Sequence, residues 1–135
     1  MIRPATSADA ASLAEIQACC PEAAAWTPQS DDCSACDVAV LDGRIAGFIV
    51  WRETAPGERE ILNLAVIPAA RRRGLATRLI QKALPDPGDC FLEVRESNLS
   101  ARTFYHRLGF REVGTRTNYY SCPPENGIVM KFSSW

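Results

Sequence analysis

One stretch limits what this chain can become more than any other. The apolar run Ile61-Leu62-Asn63-Leu64-Ala65-Val66-Ile67-Pro68 leads through Arg71-Arg72-Arg73-Gly74 into Leu75-Ala76-Thr77. That segment opens a helical pattern at Leu75, Leu79, Ile80, Ala83 and Leu84. A strand that bends through arginines into a helix gathers unpaired backbone N–H groups, a positive helix end and fixed cations at one point. Three cations in a first turn oppose the helix dipole, so the pattern predicts an anionic ligand, a diphosphate held in a cradle. The competing reading of 71–73 is a solvated charge run. The element is no P-loop, since no Gly-Lys-Ser/Thr follows, and it lacks the third glycine and the acidic residue of a dinucleotide fingerprint.

The rest of the chain reads as mixed α/β. Its 135 residues, 47% of them apolar, suffice for one domain over 1–135 with a single sizeable core. A short strand at Ile2–Ala5 precedes a capping turn at Thr6–Asp9 and a helix that stops before Pro21. Residues 23–35 read as a short irregular helix or loop. Strands at Asp37–Leu41 and Ile45–Trp51 meet at Asp42-Gly43, a hairpin signal. A polar turn at Thr54–Gly57 leads into a strand at Arg59–Val66. The helix from about Arg72 ends at Leu84 before Pro85 and Pro87. A buried strand at Cys90–Val94 is followed by a helix at Asn98–Leu108 capped by Gly109. Strands at Phe110–Gly114 and Gly127–Phe132 close the chain, with Tyr119 and Tyr120 expected in the loop that joins them.

Charge and cysteine usage exclude several classes. Fifteen basic against sixteen acidic residues leave a net charge of −1, so no broad field draws the protein to nucleic acid or an anionic membrane. No apolar run nears the roughly 20 residues of a spanning helix, and no signal-peptide core follows Met1, so a cytoplasmic location is expected. Reduced thiols are then the default for the six cysteines. Cys33-Ser34-Ala35-Cys36 is a lone CxxC without a second pair, so no metal is expected.

The segment Leu92-Glu93-Val94-Arg95-Glu96-Ser97-Asn98, followed by Ala101 and by Phe104-Tyr105-His106-Arg107-Leu108-Gly109-Phe110, resembles the closing half of the GCN5-related N-acetyltransferases. With Asn118-Tyr119-Tyr120 it is most similar to the branch that acetylates the N-terminal alanine of a ribosomal protein. The resemblance runs from Ile2 onward and is most specific over 61–110. It implies the acyl-CoA N-acyltransferase fold, a central, mostly antiparallel mixed sheet flanked by helices, with acetyl-CoA as donor. The acceptor would be the N-terminal alanine of a ribosomal protein, with a small amine or another protein as the alternative and a non-catalytic acyl-CoA sensor as the second one.

The resemblance also implies roles. Leu64, Ala65 and Val66 would lend backbone to the pantetheine arm, and plain sheet packing is compatible with that. Arg71, Arg72, Arg73, Gly74, Leu75, Ala76 and Thr77 would hold the pyrophosphate, although Ala76 replaces a common glycine and Thr77 a common cation. Asn98 would bind near the thioester. An amine must lose a proton and the departing thiolate must gain one. Glu93 matches the base and Tyr105 the acid. A carboxylate in an apolar strand is desolvated, which raises its pKa toward a working range, and a structural pair with an arginine such as Arg95 is its competing role. A core aromatic is the competing role of Tyr105. His106 points about 100° away and is expected on the helix surface. Trp26, Tyr119 and Tyr120 would wall the acceptor or be satellite core, and Asn63 would contact the peptide backbone.

Overall fold

The computed structural model describes residues 1–19, 35–71, 73–121 and 124–134. Along the chain lie β1 (Ile2–Pro4), α1 (Ala10–Cys19), β2 (Ala35–Leu41), β3 (Arg44–Ala55), β4 (Glu58–Val66), α2 (Leu75–Ala83), β5 (Asp89–Arg95), α3 (Leu99–Arg107), β6 (Arg111–Ser121) and β7 (Pro124–Ser133). Hydrogen-bonded neighbours follow the order β1-β2-β3-β4-β5-β7-β6, one seven-stranded sheet. Its pairs β1/β2, β2/β3, β5/β7 and β6/β7 are antiparallel, and β4/β5 is parallel. This is the mixed α/β, mostly antiparallel architecture expected from the sequence. No described helix is long and apolar enough to cross a membrane. The residues fall into two compact units, 1–53 with 61–84 and 54–60 with 85–135.

In the first unit the Asp42-Gly43 link has positive φ at both residues, 52° and 77°, the backbone of the tight hairpin turn that the dipeptide favours. Residues Ala46 to Val50 of β3 are buried in succession, the pattern of a strand covered on both faces. Phe48 and Val50 pack with Val38, Ala65 and, from α1, Leu13 and Ile16 into one core. Gly47 is needed for closeness: a Cβ there would lie 2.8 Å from the Ala65 carbonyl oxygen of β4. The Thr6–Asp9 turn is stitched by the Thr6 N–H donating to Asp9 Oδ2 at 2.7 Å, and Arg3 grips both oxygens of Asp9 at 2.9 and 3.0 Å. Those hydrogen bonds hold the Asp9 carboxyl far below the usual carboxylate range.

In the second unit β5 alternates, with Cys90, Leu92 and Val94 buried and Phe91, Glu93 and Arg95 on the less covered face. The expected buried strand is thus fully buried on one face, and Glu93 lies on the other, half-buried one. Helix α3 begins at Asn98, whose side chain accepts from the Ala101 N–H at 3.2 Å, and it ends where Gly109 adopts φ 104°. Ring contacts then join Tyr105 to Phe110 and Phe110 to Phe132, each at 5.6 Å.

The largest difference from expectation lies in β6. Tyr119 and Tyr120 were placed in a loop, yet the strand runs on through them to Ser121 and pairs with β7. Its register slips between Arg116 and Tyr120, where Asn118 takes a positive φ of 53° and donates its N–H to Asn126 Oδ1 at 3.0 Å. That irregularity, with nine consecutive exposed residues at 111–119, removes the alternation by which a strand is read.

Candidate active site

The first unit carries the strand–bend–helix element. Helix α2 opens at Leu75, later than the expected Arg72, because Gly74 caps it from the left-handed region at φ 75°. Among the described residues no side chain caps this end, and the first helical bond is Arg78 N–H to the Gly74 carbonyl. The N–H groups of Leu75, Ala76 and Thr77 therefore lack intrahelical partners, as at any helix start. A Cβ on Gly74 would meet nothing within 4 Å, so space is open over the bend. Leu75, Leu79, Ile80 and Ala83 anchor α2 to the core, while Arg73, Gly74 and Arg78 are exposed. Arg71 turns back, its Nε donating to the Val66 carbonyl at 3.1 Å, and so ties the bend to the end of β4. A diphosphate fits this end: bare N–H donors, open approach and exposed arginine.

Two acceptor residues proposed from the sequence need comment. Asn63 is only 4% exposed, and its amide donates to Gln17 Oε1 of α1 at 2.6 Å. Its side chain is thus tethered to α1, whereas the sequence suggested a contact with the peptide backbone. Trp26 lies outside the described residues, as does Arg72.

The second unit carries Glu93 and Tyr105, the base and acid expected from the sequence. The Glu93 side chain is 14% exposed, and its Oε1 accepts from Arg116 Nη1 at 2.7 Å. The partner differs from the Arg95 considered from the sequence, since Arg95 pairs with Glu125 at 3.3 Å. Glu93 Oε2 is buried and has no hydrogen-bond partner among the described residues. It borders Gly127, where a Cβ would lie 3.2 Å from that oxygen. Above this pair the guanidinium of Arg116 stacks on Tyr119 at 4.4 Å, Tyr119 meets Tyr120 edge-on at 5.0 Å, and Arg95 stacks on Tyr120 at 4.4 Å. Burial, with the nearby Glu93 carboxylate next, pushes Tyr120 up to about 12.

Tyr105 is 8% exposed, and its ring packs edge-on against Phe104 at 5.2 Å and Phe110 at 5.6 Å. Burial first, then neighbouring Cys90 and Tyr120, push its phenol well above the usual range, so it carries its proton at neutral pH. Asn98 spends its side-chain oxygen on the α3 cap, which leaves its amide to donate. His106 is exposed on α3, as expected. Cys36 and Cys90 are free, and burial pushes each up to about 12, so neither is a ready nucleophile. No cluster of metal-ligating side chains occurs among the described residues.

Arg116 and Gly127 were missed by the sequence reading. The signal was present only in pairing: Gly127 of β7 stands opposite Arg95 on one side and Arg116 on the other.

With this geometry in view, a family model described as "Acetyltransferase (GNAT) family" matches residues 7–110. The chain belongs to the GNAT acetyltransferase family. Among curated relatives, this GNAT chain is similar to the [ribosomal protein bS18]-alanine N-acetyltransferase of Haemophilus influenzae, 38% identical over 99 residues, 67% of this chain and 66% of that one. The chain spans 66% or less of the length of the first curated relatives it matches. The fold is shared with the ribosomal-protein-S18-alanine N-acetyltransferase of Escherichia coli, at a TM-score of 0.81, 24% identity and coverage of 99% and 93%. It is shared also with a GNAT family acetyltransferase of Elizabethkingia anophelis with acetyl-CoA bound, at a TM-score of 0.79, 15% identity and coverage of 98% and 97%.

Proposed function

We propose that this GNAT chain transfers an acetyl group directly from acetyl-CoA to a primary amine, the α-amino group of an alanine at the N-terminus of a ribosomal protein. The observation that carries the chemistry is the divided state of Glu93, with one oxygen on Arg116 and the other buried and bare. A buried carboxylate oxygen without a partner calls for an explanation, and a proton taken from the acceptor amine supplies one. The similarity to a bS18-alanine N-acetyltransferase supports the acceptor.

In this reading the α2 N-terminus, with Arg73, holds the pyrophosphate, and backbone of Leu64 to Val66 receives the pantetheine arm. Glu93 Oε2 takes the proton from the attacking nitrogen as the new C–N bond forms. The carbon–sulfur bond breaks, and the CoA thiolate takes the Tyr105 proton. Asn98 donates its amide near the thioester. Tyr119 and Tyr120 wall the acceptor's first residue, and aromatic walls there exclude water. No covalent enzyme intermediate is needed, because base and acid serve the two proton transfers of a single displacement.

The experiment is acetyl transfer followed by mass spectrometry and thiol release. An alanine-starting ribosomal peptide is compared with polyamines and amino sugars. Peptide acetylation that drops about 10²- to 10⁴-fold in kcat with Glu93→Gln, at unchanged acetyl-CoA affinity, is the expected result. Acetylation of small amines alone would move the acceptor to the second class. CoA binding without turnover on any acceptor would make the chain a sensor.

A further inference from the structure

Glu93 on β5 and Arg116 on β6 are separated by β7, yet their side chains meet at 2.7 Å. Two strand spacings are about 9–10 Å, a span that only a long side chain crosses, and only if the intervening strand leaves room. Gly127 provides that room, standing opposite Arg116 without a side chain. Arg116 itself is 57% exposed, and an exposed arginine rarely holds one geometry. Here it is pinned from a second side by the Tyr119 ring at 4.4 Å. The result is a carboxylate fixed by one oxygen, with the other left bare beside Gly127.

We infer that Arg116 is a positioning residue. It crosses β7 to hold Glu93 by Oε1 and thereby aims Oε2 at the acceptor nitrogen. The inference rests on the reading of Glu93 as base. The charged and titratable groups facing this pair are Tyr119 and Tyr120 on β6, Arg95 on β5, Glu125 on β7 and Glu60 on β4. Arg95 and Glu125 answer each other, and Glu125 also accepts from the Ser97 N–H at 2.7 Å. Among the described residues, Arg116 is the cation seen in contact with Glu93. Its role is geometric as well as electrostatic: a planar guanidinium both stacks on a ring and donates along its edge, which an ammonium cannot do.

The test is a double-mutant cycle with a conservative rescue. Arg116→Met should lower kcat about 10- to 100-fold, with melting temperature and acetyl-CoA affinity unchanged. Arg116→Lys should restore part of that loss. In a Glu93→Gln background Arg116→Met should cost nothing further. Multiplying losses, or a Met variant within twofold of the parent, would overturn the inference. If the unaltered protein acetylates no acceptor, the proposed reaction itself has failed, and Arg116 is then judged without turnover. With carbon-13-labelled glutamate, Arg116→Met should move the Glu93 carboxyl resonance and leave that of Glu125 in place. An unmoved Glu93 resonance would overturn the inference.

Discussion

Replacing Gly127 by alanine is the sharpest probe of the proposed base. A methyl group there would stand 3.2 Å from Glu93 Oε2 and 3.2 and 3.3 Å from Cδ2 and Cβ of Tyr119. Comfortable contacts are about 3.5–4.0 Å, so something must yield by about 0.3–0.5 Å. Glu93 is tied through Oε1 to Arg116 at 2.7 Å, and Tyr119 lies under the same guanidinium, so the displacement reaches the base from both sides. A misplacement of about 1 Å can cost about 10²-fold, so a few tenths should lower kcat about 3- to 10-fold, or ~0.7–1.4 kcal/mol in the barrier. Stability should move little. Gly127 is not in the left-handed region, and alanine restricts the unfolded chain by ~0.4–1 kcal/mol, which offsets the crowding. The assay pairs kcat on the alanine-starting peptide with thermal unfolding of the same preparation. An unchanged kcat, or a loss accompanied by a fall in melting temperature of more than about 5 °C, would refute the reasoning.

Three further outcomes follow from local geometry. Tyr105→Phe keeps the ring that packs on Phe104 and Phe110, so melting temperature should hold while kcat falls about 10²-fold or more at constant acetyl-CoA affinity; equal activity would return Tyr105 to the core aromatics. Gly74→Ala introduces no clash but forces alanine to φ 75°, costing about 1–2 kcal/mol, and both the calorimetric melting temperature and CoA binding by titration should fall. Asp9→Asn tests the Arg3 clamp: a carboxylate depressed in the folded state adds stability that is fully present above about pH 4 and lost as pH falls below it. The melting-temperature gap between the parent and this variant should therefore be widest near neutrality and close in acid, and a gap independent of pH would refute that assignment.

Much of this molecule was readable from local pattern. The Asp42-Gly43 turn, the amphipathic stripe of α2 and the Gly109 stop are decided within a few residues, and each stands where its chemistry predicts. Glu93 and Tyr105 stand out as candidates because their sequence neighbours resemble a family, while their surroundings are not legible there. The guanidinium on Glu93 comes from a residue 23 positions along the chain, selected by the pairing of β5, β7 and β6, and no periodicity encodes that. Tyr119 and Tyr120 were misplaced for a related reason. Gly114 and the left-handed Asn118 interrupt an exposed strand, and such a strand looks like a loop until its partner β7 is known.

The kink at Asn118 has one more consequence. In the strand order β6 is outermost, and among the described residues no strand pairs with its far side, the kind of rim that an extended segment can add to. A bulged backbone with Arg111, Glu112 and Arg116 along its exposed length is a poor template for such pairing. The same irregularity that brings two tyrosines beside a carboxylate thus guards against self-association into fibrous aggregates.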